Sequence, residues 1–181
     1  MPKHKRVTLV VLYEDEMHST FINAFLHRMR MPAVGHPRLR RKGSKSDVFD
    51  AFASEVKALR NSHVQTRLVV MIDADELTDA QIQNMFRQKL KDAGLNDQFN
   101  DDAILIICPR WEMENWALQL LGESVDEAKI NGARKRVGER GRDAGRLLAD
   151  TCKARHLPAG ALPSMRAACV EWQAHRNRWE Y

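Results

Sequence analysis

Three short runs of β-branched and aliphatic residues stand out along the chain: RVTLVVLY at 6–13, RLVVMI at 67–72 and ILIIC at 104–108. Runs this short and continuous read as strands buried on both faces. Between them apolar residues recur at helical spacing. Phe21, Ile22, Phe25, Leu26 and Met29 form one stripe, with Ser19 as its expected N-cap and Pro32 and Gly35 beyond its end. Val48, Phe49, Phe52, Val56 and Leu59 form a second, starting near Ser46, and the HPRLRR ahead of it reads as a short edge strand. A third carries Ile82, Met85, Phe86 and Leu90 behind a Thr78–Gln81 capping box, with Gly94 at its C-terminal end. Pro109 is expected to open a fourth helix over about 110–121, closed by Gly122.

Strand and helix alternating in this order predict an α/β fold, a parallel sheet of about four strands with right-handed crossovers, flanked by helices. From Ser124 onward no strand-like run appears. Ser124 and Glu127 make another capping box, and helical patterns follow over about 141–156 and 164–178. The expected organisation is an α/β core over 1–122 and a helical, basic extension over 123–181 packed on it.

Composition narrows the class. Of 181 residues 44% are apolar and 29% charged, which excludes collagen-like and mostly disordered chains. The apolar runs are far shorter than the roughly 20 residues of a membrane span, and MPKHKR is followed by too short an apolar stretch for a signal peptide. The three cysteines, Cys108, Cys152 and Cys169, are spaced as neither a disulfide framework nor a CxxC metal site, so a reducing cytoplasm is expected. The net charge of +5 is uneven: residues 1–60 carry +6, 61–122 carry −5 and 123–181 carry +4. An acidic middle between basic flanks suits a carboxylate site set among cations that hold a polyanion.

Ligands of a parallel α/β sheet bind beyond the carboxyl ends of its strands. All three such positions here are acidic: Glu14-Asp15-Glu16, Asp73-Ala74-Asp75-Glu76 and, after the last strand, Trp111-Glu112-Met113-Glu114. Carboxylates are the ligands hard cations select, and Asp73 and Asp75, two apart in extended chain, are expected to point the same way. Acidic residues also favour the N-terminus of a following helix, so each cluster has a purely structural reading as well. Glu114 shares a helical stripe with Trp111, Leu118 and Leu121, which should turn it inward. Glu112 falls with Asn115 and Gln119 on the side expected to face solvent.

A Glu ending the first strand, Asp-x-Asp ending a later one and a further acidic residue beyond it resemble the Toprim pattern. The likeness extends over residues 6–122 and is greatest to small stand-alone Toprim-like proteins related to the overcoming-lysogenization-defect nucleases. In those the first motif runs Glu-Gly-x-x-Glu, and a later Glu-x-Trp follows a strand and a Pro. The matching stretches here are LYEDEMH, MIDAD and CPRWEMENW. Asp15 stands where that pattern has Gly, and His18 where it has its second Glu. The resemblance implies a Mg²⁺- or Mn²⁺-dependent nuclease with Glu14, Asp73, Asp75 and Glu114 as catalytic and metal-binding residues and Glu14 as general base or acid. It also implies a role in phage defence beside an ATPase partner chain. His18 reads as a surface residue at a helix start, or as a further ligand for Mn²⁺, which accepts imidazole more readily than Mg²⁺ does.

Two basic stretches are candidates for holding nucleic acid, DNA ahead of RNA. Arg38, Arg40, Arg41, Lys42 and Lys45 are expected in one loop; Arg134, Lys135, Arg136 and Arg140 lead a second stretch that runs on to Arg142 and Arg146. Two other functions compete with the nuclease: a catalytically inactive binding module of the same fold, and a receiver-like phospho-acceptor domain. The latter would want a Lys after the last strand, where this chain has Cys108-Pro109-Arg110.

Overall fold

Strand pairing settles the architecture in the computed structural model, which describes residues 7–30, 35–98, 103–129, 131, 136–154, 157 and 160–179. Strands β1 (Thr8–Tyr13), β2 (Arg38–Arg41), β3 (Thr66–Met71) and β4 (Ile104–Ile107) form one sheet in the order β2-β1-β3-β4. Every pairing is parallel. Among the described residues six α-helices accompany them: α1 (Glu16–Met29), α2 (Lys45–Arg60), α3 (Asp79–Asp92), α4 (Met113–Leu120), α5 (Gly141–Ala154) and α6 (Pro163–Trp179).

The alternation of side chains along each strand divides the core into two layers. Leu9, Val11, Tyr13, Val69, Met71, Leu105 and Ile107 face α1, α4, α5 and α6, with Phe21, Trp116 and Trp172 among the largest buried groups there. Val10, Leu12, Leu68, Val70, Ile72 and Ile104 face the other way, onto Phe49 and Phe52 of α2 and Ile82, Phe86 and Leu90 of α3. The strands read as continuous apolar runs because both faces are covered. The helices beyond residue 123 belong to the first layer: Ala144, Leu148, Cys152, Met165, Cys169 and Trp172 are buried in the same core as β1 and β3. None of the helices among the described residues is long and apolar enough to cross a membrane.

Several local expectations are corrected. The cap of α1 is Asp15, not Ser19: its Oδ1 accepts from the backbone N–H groups of Met17 (3.0 Å) and His18 (3.1 Å), so the helix starts a turn earlier. Helix α4 starts at Met113 rather than just after Pro109, with Glu112 at the N-cap position. No helix begins at Ser124. Glu127 instead accepts hydrogen bonds at the start of α6 from the backbone N–H (3.3 Å) and hydroxyl (2.7 Å) of Ser164, where a carboxylate suits the exposed N–H groups. Arg38 to Arg41 form β2, the short edge strand expected of HPRLRR, so the first basic stretch begins in a strand and is not one loop. Cys152 of α5 and Cys169 of α6, expected to be free thiols, are joined by a disulfide, leaving Cys108 free.

Candidate metal centre

Strand order places the site. From β1 the chain crosses to β2 on one side, while β3 and β4 lie on the other, so the order reverses between β1 and β3. That reversal opens a crevice at the carboxyl ends of those two strands. Glu14 follows the last residue of β1 and Asp73 stands two beyond the end of β3. The two are tied directly, Glu14 Oε1 accepting from the backbone N–H of Asp73 at 2.8 Å. Asp73 Oδ1 in turn accepts from the backbone N–H of Met113 at 2.7 Å, which docks the start of α4 onto the crevice.

His18 completes the cluster and is not a surface residue: it is 1% exposed. It is the third residue of α1, and its ring reaches the carboxylates of Glu14 and Asp73. Nδ1 lies 3.0 Å from Asp15 Oδ1, so the carboxylate that caps the helix also orients the imidazole. Nε2 is buried and makes no hydrogen bond of acceptable direction, although it lies 3.3 Å from Asp73 Oδ1. Ligand atoms from Glu14, His18 and Asp73 fall within 4.8 Å of one another. This donor set fits a divalent ion. Two carboxylates and one imidazole suit a first-row transition metal, and a ligating histidine whose other nitrogen donates to a carboxylate is the usual supporting arrangement.

The groups perturb one another in the metal-free protein. Burial raises Glu14 above its ordinary range, against the lowering effect of the Asp73 N–H. Burial works against a charged His18, yet its contacts with Asp15 and Asp73 outweigh that and raise it to about 10. The same hydrogen bond from His18 lowers Asp15 to about 2. A protonated His18 places one positive charge among the carboxylates of Glu14, Asp15 and Asp73.

Asp75 is not part of the cluster. It adopts φ 50°, and its N–H bonds to the carbonyl of Trp111, itself at φ 61°, so the extended geometry that would align it with Asp73 is broken. Its carboxylate is 60% exposed and paired with the half-buried Lys45. Glu114 does turn inward, as its stripe requires, and is buried, which raises its carboxyl. It stands outside the Glu14–His18–Asp73 group and lines an adjoining cleft of about 900 Å³ with Glu16, Thr20, Arg142 and Arg146. The solvent-facing expectation for Asn115 fails: it is fully buried, its amide donating to the Lys129 carbonyl (3.2 Å) and its oxygen accepting from Asn131 (2.9 Å). Glu112 accepts from the Asn131 N–H at 3.4 Å, because the segment after α4 folds back over it.

Many of the basic candidates are engaged within the chain. Arg40 pairs with Glu55 (2.9 Å), Arg41 with Glu16 (3.1 Å), and Arg136 and Arg140 both with Glu123. Arg38 is exposed, Lys42 is half-buried, and Arg134 and Lys135 lie outside the described residues. Sequence reasoning missed Asp15 as the group that orients His18. An Asp at the strand end with a His three residues on was the available signal. Comparison of the chain with protein families, with curated proteins and with solved structures finds no match.

Proposed function

We propose that this chain is a Toprim-like, divalent-metal-dependent nuclease that cleaves phosphodiester bonds at the crevice between β1 and β3. The observation that supports it most is the buried Nε2 of His18, 3.3 Å from Asp73 Oδ1, with ligand atoms of Glu14, His18 and Asp73 all within 4.8 Å of one another. Glu14, His18 and Asp73 would hold the ion, Mn²⁺ or Mg²⁺. Bound there, it would neutralise the scissile phosphate and activate a water. The chain's own groups do the rest. Asp15 fixes the ring of His18, and the Met113 N–H fixes one oxygen of Asp73. Glu14 is the carboxylate that the resemblance implies as general base or acid, while Glu114 is a second buried carboxyl at the wall of the adjoining cleft. Asp75 holds Lys45 at the rim. Action in phage defence beside an ATPase chain rests on the resemblance alone, and an ATPase encoded next to this protein would support it.

The test is incubation of purified protein with plasmid and single-stranded substrates in Mn²⁺, in Mg²⁺ and in EDTA. Cleavage should require the ion and be lost in Asp73→Asn, which keeps the oxygen that Met113 bonds but removes the charge a cation needs. A second reading has its own support: His18, charged between Asp15 and Asp73, takes the place of a cation and leaves a catalytically silent binding module. Ion-independent behaviour in every assay would favour it.

A further inference from the structure

Helix α4 is capped from outside itself. Glu112 stands at its N-cap position but makes no capping bond with its side chain. The first N–H of the helix, that of Met113, donates instead to Asp73 Oδ1 at 2.7 Å, a carboxylate from beyond the end of β3. A helix N-terminus favours such a group, and in return the place of α4 decides where that oxygen stands. Met113, Trp116, Ala117 and Leu118 are buried, yet apolar burial is non-directional and leaves the rotation of α4 to its hydrogen bonds.

One hydroxyl supplies that direction. Ser164, the second residue of α6, accepts from the Trp116 indole N–H at 2.8 Å and from the Arg110 backbone N–H at 3.4 Å, and donates to Glu127 Oε2 at 2.7 Å. These bonds use the one proton and both lone pairs that a serine hydroxyl has. Trp116 lies one turn into α4 and Arg110 ahead of it, so both the helix and the loop leading into it are held. The loop is in a costly state. Trp111 adopts φ 61° and is bridged to Asp75 at φ 50°, the Asp75 N–H donating to the Trp111 carbonyl at 3.2 Å. Left-handed backbone at bulky residues persists only where the surroundings over-determine it.

We infer that Ser164 is a positioning residue of the metal centre: through Trp116 and Arg110 it sets where the Met113 N–H stands, and through that N–H it fixes the Asp73 carboxylate. The chain beyond residue 123 is thereby part of the site, with Glu127 orienting the hydroxyl from a turn between α4 and α6. The inference rests on reading Glu14, His18 and Asp73 as a metal centre, and its test keeps the two apart. Amide hydrogen exchange would be followed by NMR in EDTA for wild type, Ser164→Ala and Ser164→Thr. The last keeps the hydroxyl and adds a methyl beside a hollow of about 30 Å³. In Ser164→Ala the Met113 N–H should exchange about fivefold faster relative to that of Val11, buried in β1, whose rate reports opening of the whole sheet. Ser164→Thr should restore the ratio, which a general loss of stability would leave unmoved. By calorimetry Mn²⁺ affinity should fall about three- to tenfold in Ser164→Ala, less than for a group that touches a ligand directly, and recover in Ser164→Thr. Where Ser164→Ala does not fold, Trp116→Phe removes the indole bond from the other side and should show the same two changes. An unchanged exchange ratio, or wild-type Mn²⁺ affinity in a variant whose Met113 has lost protection, would overturn the inference. If the wild type binds no Mn²⁺, the nuclease reading fails, and the exchange ratio alone upholds or overturns the hold of Ser164 on Asp73.

Discussion

A single carboxylate, Asp15, performs two tasks that can be separated by substitution. It caps α1 through the N–H groups of Met17 and His18, and it orients the His18 ring through Nδ1. Asn caps a helix as well as Asp does, so Asp15→Asn keeps the cap, but it removes the charge that buried His18 pairs with and should lower the thermal midpoint in EDTA. It should also weaken Mn²⁺ binding by about 10–100-fold, as loss of a supporting partner of a metal-ligating histidine does. Unchanged affinity by calorimetry would show that Asp15 is only a cap. The same residues set a pH profile for the metal-free protein. His18 is raised from 6.5 to about 10, so its contribution is fully present below pH 6.5 and is lost as pH rises through 10. Asp15, lowered from 3.8 to about 2, contributes above pH 3.8 and loses its contribution as pH falls through 2. Glu14 and Glu114, raised by burial above 4.5, also lose stability as pH rises past that value. Unfolding scans in EDTA should therefore give a higher midpoint near pH 5 than near pH 9, a difference that saturating Mn²⁺ reduces by replacing the proton as the neutralising charge. A flat or rising profile in EDTA would contradict this.

At the scale of elements, the contact that shapes the cleft beside Glu114 is α5 against α1, where glycines remove the bulk that would hold the helices apart. A Cβ at Gly145 would come within 2.3 Å of the Phe21 carbonyl oxygen, whereas one at Gly141 would meet the flexible end of Met17 at 2.6 Å. Ala favours a helix over Gly by about 1 kcal/mol, so the sign of each substitution is decided by packing. Gly145→Ala should destabilise by about 1–3 kcal/mol in urea unfolding, because a backbone atom cannot step aside. Gly141→Ala should cost distinctly less, and the reverse order would mean the helices cross elsewhere. This crossing was not legible in the sequence, since it depends on which faces meet. The strands were legible because both faces of the sheet are covered, making TLVVLY and RLVVM continuous apolar runs. Glu14 and Asp73 were legible for the same reason, since each follows closely on such a run. Asp75 was not, because a turn at φ 50° leaves no mark in an Asp-x-Asp pattern. Nor was the burial of Asn115, which is imposed by a segment some fifteen residues further along, its bond to Asn131 spanning 16 positions.

For the whole molecule, the C-terminal helices complete one of the two core layers and are stapled within it by Cys152–Cys169, a pairing that is tertiary and therefore invisible in cysteine spacing. Closing 17 residues by a disulfide limits the unfolded chain, and Cys152→Ala/Cys169→Ala should lower stability by about 3 kcal/mol relative to the oxidised protein. Equal denaturation midpoints with and without reductant would show that the bond is not formed in solution. What joins residue, element and molecule is the crevice between β1 and β3, where one strand end supplies Glu14, the other Asp73 and the first helix His18. Whether these three hold a divalent ion is decided by calorimetric titration of the purified protein with Mn²⁺, in parallel with Asp73→Asn. One saturable site per chain is expected in the wild type, with proton release, and at least a tenfold loss of affinity in the variant. No binding by the wild type, or equal binding by both, would contradict it.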